Sequence, residues 1–385
     1  MIYYTRIKIR IDLILLKIKK YARVCNNPIH VGLVSMICAM FIISGCKDGP
    51  DKVDSAYTND SQPIKVVFET DMGNDIDDAL ALDMLYKYAD RNMVEILAIS
   101  VNKDNNYACR FIDILNTWYG YPNIPIGQVR NGISGVHKRN FAQATWEHQI
   151  DGRPTFRGVI EDYENLPNSI ELYRKVLSKQ PDSSVRLISV GFSTNLARLL
   201  DSKPDKYSSL SGVDLVSRKV RLLSVMAGNF NENHMKEFNV VEDISSAQKV
   251  FDEWPTQIVV SPWELGNEIT YPASSIQNDF KWVVHHPVVV AYENYLPMPY
   301  NRPTWDLTSV FYAIEQNNGY FTTSGMGKIT VNDKGNTSFS ARANGTHQYL
   351  KINSEQAEVL KNKFIEIITT KPLKGNFKIN HSSVN

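Results

Sequence analysis

The sequence predicts an α/β protein with a mostly parallel open sheet and helices on both faces, and three observations predict it. Short β-branched apolar runs alternate along the chain with segments whose apolar residues recur at helical spacing, as βαβ units require. One such pair, "IKVVF" and "ALALDMLYKYA", flanks a dense acidic turn, and open α/β sheets bind ligands at the carboxyl ends of their strands. The composition is that of an ordinary globular chain: 385 residues, 43% hydrophobic, 22% charged, net charge +1. That length suffices for one large core or two modest ones, and nothing in the balance suggests a nucleic-acid partner.

Taken in order, residues 1–45 differ from the rest. They hold seven bases (Arg6, Lys8, Arg10, Lys17, Lys19, Lys20 and Arg23) against one acid, Asp12, followed by the apolar run "VGLVSMICAMFII" at 31–43. Thirteen residues are too few to span a bilayer and fit a signal-peptide core. The run ends in "ISGC", which resembles the bacterial lipobox. The resemblance implies cleavage before a lipidated Cys46 and an exported protein, periplasmic or at the cell surface, that meets the membrane through that anchor alone. Ordinary secretory cleavage is the alternative. Cys25 and Cys38 leave with the leader, so Cys109 remains as the one free thiol and no internal disulfide can form. Removing these bases and this acid from the totals of 42 and 41 leaves 35 against 40, a net of −5 that argues against anionic surfaces. Residues 46–63 are polar and turn-rich, as a tether should be.

From residue 64 to 385 we expect one domain. Strands are expected near 64–69, 94–101, 185–190, 220–226 and 257–261, and helices near 77–90, 106–119, 169–179, 194–201 and 245–252. The segment from about 128 to 165, with "NGISG" and "DGRP", reads as a long loop insertion.

The first strand-to-helix turn carries the chemistry. "VVFETDMGNDIDDALAL" packs Glu69, Asp71, Asp75, Asp77 and Asp78 into ten positions, and the nearest bases in sequence are Lys65 and Lys87. Gly73 permits a tight turn, while Asp77 and Asp78 open the next helix, where unpaired N–H groups and the dipole favour negative charge. Consecutive residues there point about 100° apart, so the two can serve different partners. Five acids still repel, and hard carboxylates without nearby His or Cys suit Ca²⁺ or Mg²⁺ rather than Zn²⁺. EF-hand spacing is absent, and Glu69 stands where a haloacid-dehalogenase-type phosphatase needs its nucleophilic aspartate.

"TDMGNDIDDALAL" resembles the signature DTDPGxDDAxAL of the inosine-uridine-preferring nucleoside hydrolase family, with Asn74 and Asp75 inserted and Glu69 in place of the first Asp. Three further segments resemble that family's motifs in order and spacing. These are "LISVGFSTNLARLL" at 187–200 (PTGPLTNIA), "MAGNFNENHMKEFNVVED" at 226–243 (GNxxxxAEFNxxxDPEAA) and "WDLTSVFYAI" at 305–314 (HDxxAV). The resemblance covers about residues 64 to 370 and implies the Rossmann-like nucleoside hydrolase fold. It also implies one Ca²⁺ held by Asp71, Asp78, the carbonyl of Val190 and Asp306. Asp77, Asn231, Glu237 and Asn239 would hold the ribose, together with Asp104 or Asn105 from "SVNKDNN".

These residue types suit cleavage of an N-glycosidic bond, whose oxocarbenium-like transition state needs negative charge beneath the sugar, fixed hydroxyls and a delivered water. Asp71 is the expected general base and catalytic residue. One departure stands out: the family carries a His before the last Asp as a candidate acid for the leaving base, and this chain has Trp305. His137, His148 and His234 lie in expected loops; Tyr292 and Tyr295, after His285 and His286, either cap a base or pack in a helix. The expected activity is therefore Ca²⁺-dependent hydrolysis of a nucleoside or riboside, with a non-catalytic ribose-binding or nucleoside-binding lipoprotein as the alternative. A homo-oligomer is compatible with the sequence.

Overall fold

The computed structural model describes residues 62–375, apart from 135–139, 234 and 317. The leader, Cys46, His137 and His234 lie outside the described residues. Strand β1 (Ile64–Thr70) leads into α1 (Asp77–Asp90), β2 (Val94–Lys103) and α2 (Asn106–Trp118). Then come β3 (Ile126–Ile133), α3 (Phe141–Trp146), α4 (Ser169–Leu177), β4 (Val185–Ser189), α5 (Thr194–Asp201) and α6 (Gly212–Lys219). The chain continues with β5 (Val220–Met226), α7 (Phe238–Glu242), α8 (Ile244–Glu253), β6 (Gln257–Ser261) and α9 (Trp263–Asn267). After α10 (Ala273–Asn278), α11 (Pro287–Tyr295) and α12 (Trp305–Glu315), strands β7 (Gly327–Val331), β8 (Thr337–Ala341) and β9 (His347–Lys351) precede α13 (Ser354–Thr369).

The main sheet runs β8-β7-β9-β6-β5-β4-β1-β2-β3, with the short strand 322–323 also paired to β9. From β9 to β3 every pairing is parallel, while β7 pairs antiparallel with both β8 and β9. The strand order reverses between β1 and β4, and in a doubly wound sheet that reversal opens a crevice at the carboxyl ends of the two strands. Side-chain parity along β1 builds the two cores. Val66 and Phe68 pack on the face covered by α1, α2 and α12, whereas Val67 faces α4, α5 and α8. Burial takes in every residue of α1 from Asp77 to Tyr88, including Asp77, Asp78, Asp83 and Lys87, and the helix packs on the sheet, α12 and α13.

The expected elements up to residue 261 are present, with ends shifted by one or two residues. Two expectations need correction. The 128–165 segment is not a structureless insertion: β3 runs into it as the sheet's edge strand, α3 packs on α2 and α11, and 149–150 pairs with 153–154. Residues 327–351, to which the sequence assigned no element, add three strands. Their outward positions are polar (Lys328, Thr330, Ser338 and Ser340), which suits a sheet edge.

Candidate functional site

Asp71 follows β1 directly, and Val190 follows β4, its neighbour across the strand-order reversal. Gly73, at φ +106°, turns the chain toward α1. At Gly191 a Cβ would sit 2.5 Å from Asn102 Oδ1 and 2.7 Å from the Asp71 nitrogen, so only glycine lets the two turns approach this closely. Asp77 and Asp78 start α1, Asp306 starts α12, and the Asp306 N–H donates to Asp77 Oδ2 at 3.1 Å. Carboxylate oxygens of Asp77, Asp78 and Asp306 lie within 4.8 Å of one another, and all three side chains are buried. Asp71, Val190, Glu237 and Asn239 join them around a cavity of about 400 Å³.

Burial and mutual repulsion push the carboxyls of Asp77, Asp78 and Asp306 well above the usual range, and burial lifts Asp71 to about 6 against help from Asn74 and Lys103. Asp78 Oδ1 accepts the Thr70 hydroxyl, but its buried Oδ2 has no partner among the described residues. An orphaned carboxylate oxygen inside a cluster of hard donors is the arrangement a divalent cation completes. The donor set therefore fits the metal that the resemblance implies. The three clustered carboxylates include Asp77, expected on the sugar, and omit Asp71, expected on the metal, although Asp71 lines the same cavity.

Glu237 caps α7, accepting N–H bonds from Gly228 at 3.0 Å, Asn239 at 2.8 Å and Val240 at 3.2 Å, and burial raises its carboxyl to about 7. Asn239 donates its amide to the carbonyls of Met226 at 3.2 Å and Val190 at 3.5 Å, which turns both toward the cavity. Three expected sugar contacts are not brought there. Asn231 is exposed on the following turn and lines a separate groove with Glu264 and Lys351. Asn105 spends its side chain as the N-cap of α2, accepting from the Tyr107 N–H, while Asp104 precedes it on the β2–α2 loop; neither lines the cavity.

Glu69 is not a site acid either. Strand parity sends it beneath the site, where Asn102, Tyr173 and Ser189 donate to it and burial lifts it to about 7. The cations that face the acids are not the nearest in sequence. Lys65 pairs with Glu95, and Lys87 reaches Asp83 and the Thr370 carbonyl. Lys103, at the end of β2, instead donates to the Asn74 side-chain oxygen Oδ1, while the Asn74 Nδ2 donates to Asp71 Oδ2. Arg302 holds Asp75 in a two-pronged ion pair, to which Tyr295 adds its hydroxyl at 3.1 Å. Neither cation carries a sequence signal, because each arrives from a distant segment.

Aromatic rings form the upper wall. Trp305 stacks near Trp263 and donates its indole N–H to the Trp263 carbonyl at 3.0 Å, and Tyr295 and Phe238 line the same cavity. Tyr292 packs flat against Tyr300 instead. No described histidine reaches the wall: His148 bonds Thr155, and His286 is buried among Trp118, Phe280 and Trp282, where desolvation keeps it neutral.

Among solved structures, three are similar over nearly their whole length. A plant nucleoside hydrolase (PpNRh1) is 17% identical, covering 80% of this chain and 100% of its own, with a TM-score of 0.59. A purine-preferring ribonucleoside hydrolase from Gardnerella vaginalis is 15% identical over 79% and 98%, at 0.57. An inosine-uridine preferring nucleoside hydrolase from Bacillus anthracis is 16% identical over 79% and 97%, at 0.56. At these identities the likeness shows the fold alone. No curated protein sequence matches. The profile of the inosine-uridine preferring nucleoside hydrolases matches residues 66–362, from the first strand into the last helix. The chain therefore belongs to the inosine-uridine preferring nucleoside hydrolase family, a family of hydrolases acting on N-glycosyl compounds.

Proposed function

We propose that this protein is a Ca²⁺-dependent ribonucleoside hydrolase that releases a free base and ribose. One observation carries the reading: acids from separate motifs, Asp77, Asp78 and Asp306, meet in one buried cluster at the switch point, with Asp71 lining the same cavity, which is of nucleoside-binding size. Asp78, Asp306, Asp71 and the Val190 carbonyl would hold the cation, with Asp77 in reach. Bound there, Ca²⁺ would supply a positive charge that orients a water and lowers its pKa.

The chain's own groups do the rest. Asp71 accepts the water's proton. Asp77, Glu237 and Asn239 grip the ribose hydroxyls from the cavity floor. Each Glu237 oxygen already accepts one or two backbone bonds, which fixes its position, and Glu237 Oε1 retains a lone pair for a hydroxyl. The wall of Trp263, Tyr295 and Trp305 excludes water and offers ring faces to a base. Comparing ribonucleosides with their 2′-deoxy counterparts tests the substrate class. Ribonucleosides should be preferred strongly in kcat/KM; equal rates would mean that the hydroxyl contacts are wrongly assigned.

A binder without turnover is the second reading, and the bonded chain Lys103–Asn74–Asp71 favours it, because it occupies one oxygen of the base. The export reading stands on the leader alone: basic residues, a short apolar run and "ISGC" before Cys46. Among the described residues no helix is long and apolar enough to cross a membrane.

A further inference from the structure

We infer that Arg302 stabilises the charge of the departing base, in place of the imidazole that Trp305 displaces; the inference rests on the nucleoside-hydrolase reading above. Arg302 lines the cavity from the short strand 302–303, paired to 270–271. Its Nε donates to Asp75 Oδ1 at 2.8 Å and its Nη2 to Asp75 Oδ2, which fixes the plane of the guanidinium. Its carbon lies 5.0 Å from the ring centre of Trp305 and 5.2 Å from that of Tyr295. Among the described residues nothing takes a hydrogen bond from its Nη1. The side chain keeps 20% exposure, so the group is desolvated without being sealed off.

Two departures from the family pattern converge on this residue. The inserted Asp75 is its anchor, and Trp305 is one of its stacking faces. A guanidinium locked beside the aromatic wall is preorganised for whatever that wall holds, and by the chemistry of the cavity that is the base above the acidic floor.

In the reaction the C1′–N bond breaks with its electron pair going to the base, the water oxygen bonds C1′, and the water's proton passes to Asp71. The base therefore leaves bearing negative charge, and it takes its proton from solvent afterwards. Arg302 transfers no proton. Its bonds to Asp75 hold it cationic, and it lowers the barrier by charge and by hydrogen bonding through Nη1.

The test compares inosine, a poor leaving group, with p-nitrophenyl riboside, which departs without help, in wild type, Arg302→Gln, Arg302→Lys and Asp75→Asn. Arg302→Gln should lose about 10²- to 10³-fold in kcat/KM on inosine and less than about fivefold on the activated riboside. Arg302→Lys, which keeps the charge, should recover part of the inosine activity. Asp75→Asn, which loosens the anchor and keeps the arginine, should lose less than Arg302→Gln with the same bias toward inosine, and it keeps the test open if Arg302→Gln fails to fold. Equal losses on both substrates would overturn the inference and leave the functional reading standing. A wild-type protein inert on both would overturn the two together.

Discussion

Replacing Asp306 by Asn should make the metal-free protein more stable and the Ca²⁺-loaded protein less stable. Asp306 lies within 4.8 Å of Asp77 and Asp78 in a buried cluster. Two ionised carboxylates at that separation repel by about 3 to 4 kcal/mol at an effective dielectric near 20. Repulsion and burial keep part of the cluster protonated, so the relief realised on removing one charge is smaller, about 1 to 2 kcal/mol. An asparagine keeps the shape and gives Asp77 and Asp78 a donor. For a domain of this size the relief raises Tm in chelator by about 1.5 to 3 °C. Ca²⁺ at 100 times its dissociation constant stabilises the wild type by about 2.7 kcal/mol, and a hundredfold loss of affinity at the same concentration leaves about 0.4 kcal/mol. Thermal melts of both proteins with Ca²⁺ and with chelator read this as a crossing of the two orders. A variant less stable in both conditions, or an unchanged Ca²⁺ shift, would refute the assignment of Asp306 as a ligand in a repelling cluster.

Three further outcomes are expected. In chelator the wild type should lose stability as pH rises: folded carboxyl pKa values above the ordinary 3.8 and 4.5 mean that stability present at pH 4 is lost through about 6 for Asp71 and about 7 for Glu69 and Glu237. Denaturant midpoints at pH 5 and pH 8 measure it, and greater stability at pH 8 in chelator would contradict it. Asp71→Asn should cost at least 10²-fold in kcat, whereas Asn239→Ala should act chiefly on sugar binding and raise KM; initial-rate kinetics separate the two. His286→Phe should be neutral or raise Tm, because both buried ring nitrogens lack partners, and should leave activity unchanged; a drop in activity would place that histidine in the mechanism.

How much of this was legible depends on where each residue lies along the chain. The β1–α1 turn was, since its strand is β-branched, its helix is periodic and its acids are contiguous. The family motifs located Val190, Glu237, Asn239 and Asp306, because each keeps its place next to a strand end or helix start. The same resemblance gave Asn231, but the 229–233 turn closes on its own Asn229 side chain and leaves Asn231 in solvent. Strands β7 and β8, at one end of the sheet, stayed hidden because their exposed positions are polar. Lys103 and Arg302 were invisible for another reason: Lys103 lies past the last β1 pairing of β2, where only the folded turn brings Asn74 to it, and Arg302 comes from over two hundred residues beyond the insertion it grips. The inserted Asp75, whose role the sequence left open, is the anchor of that arginine.

The central claim is that this cavity breaks an N-glycosidic bond rather than only holding a nucleoside. The most direct measurement is to incubate the purified protein with a ribonucleoside and quantify free base and free ribose, first in Ca²⁺, then in chelator, then with Ca²⁺ restored, beside Asp71→Asn. The account predicts base and ribose in equal amounts, formed catalytically, lost on chelation, regained with Ca²⁺ and absent for Asp71→Asn. Saturable nucleoside binding with no ribose released under any of these conditions would contradict it.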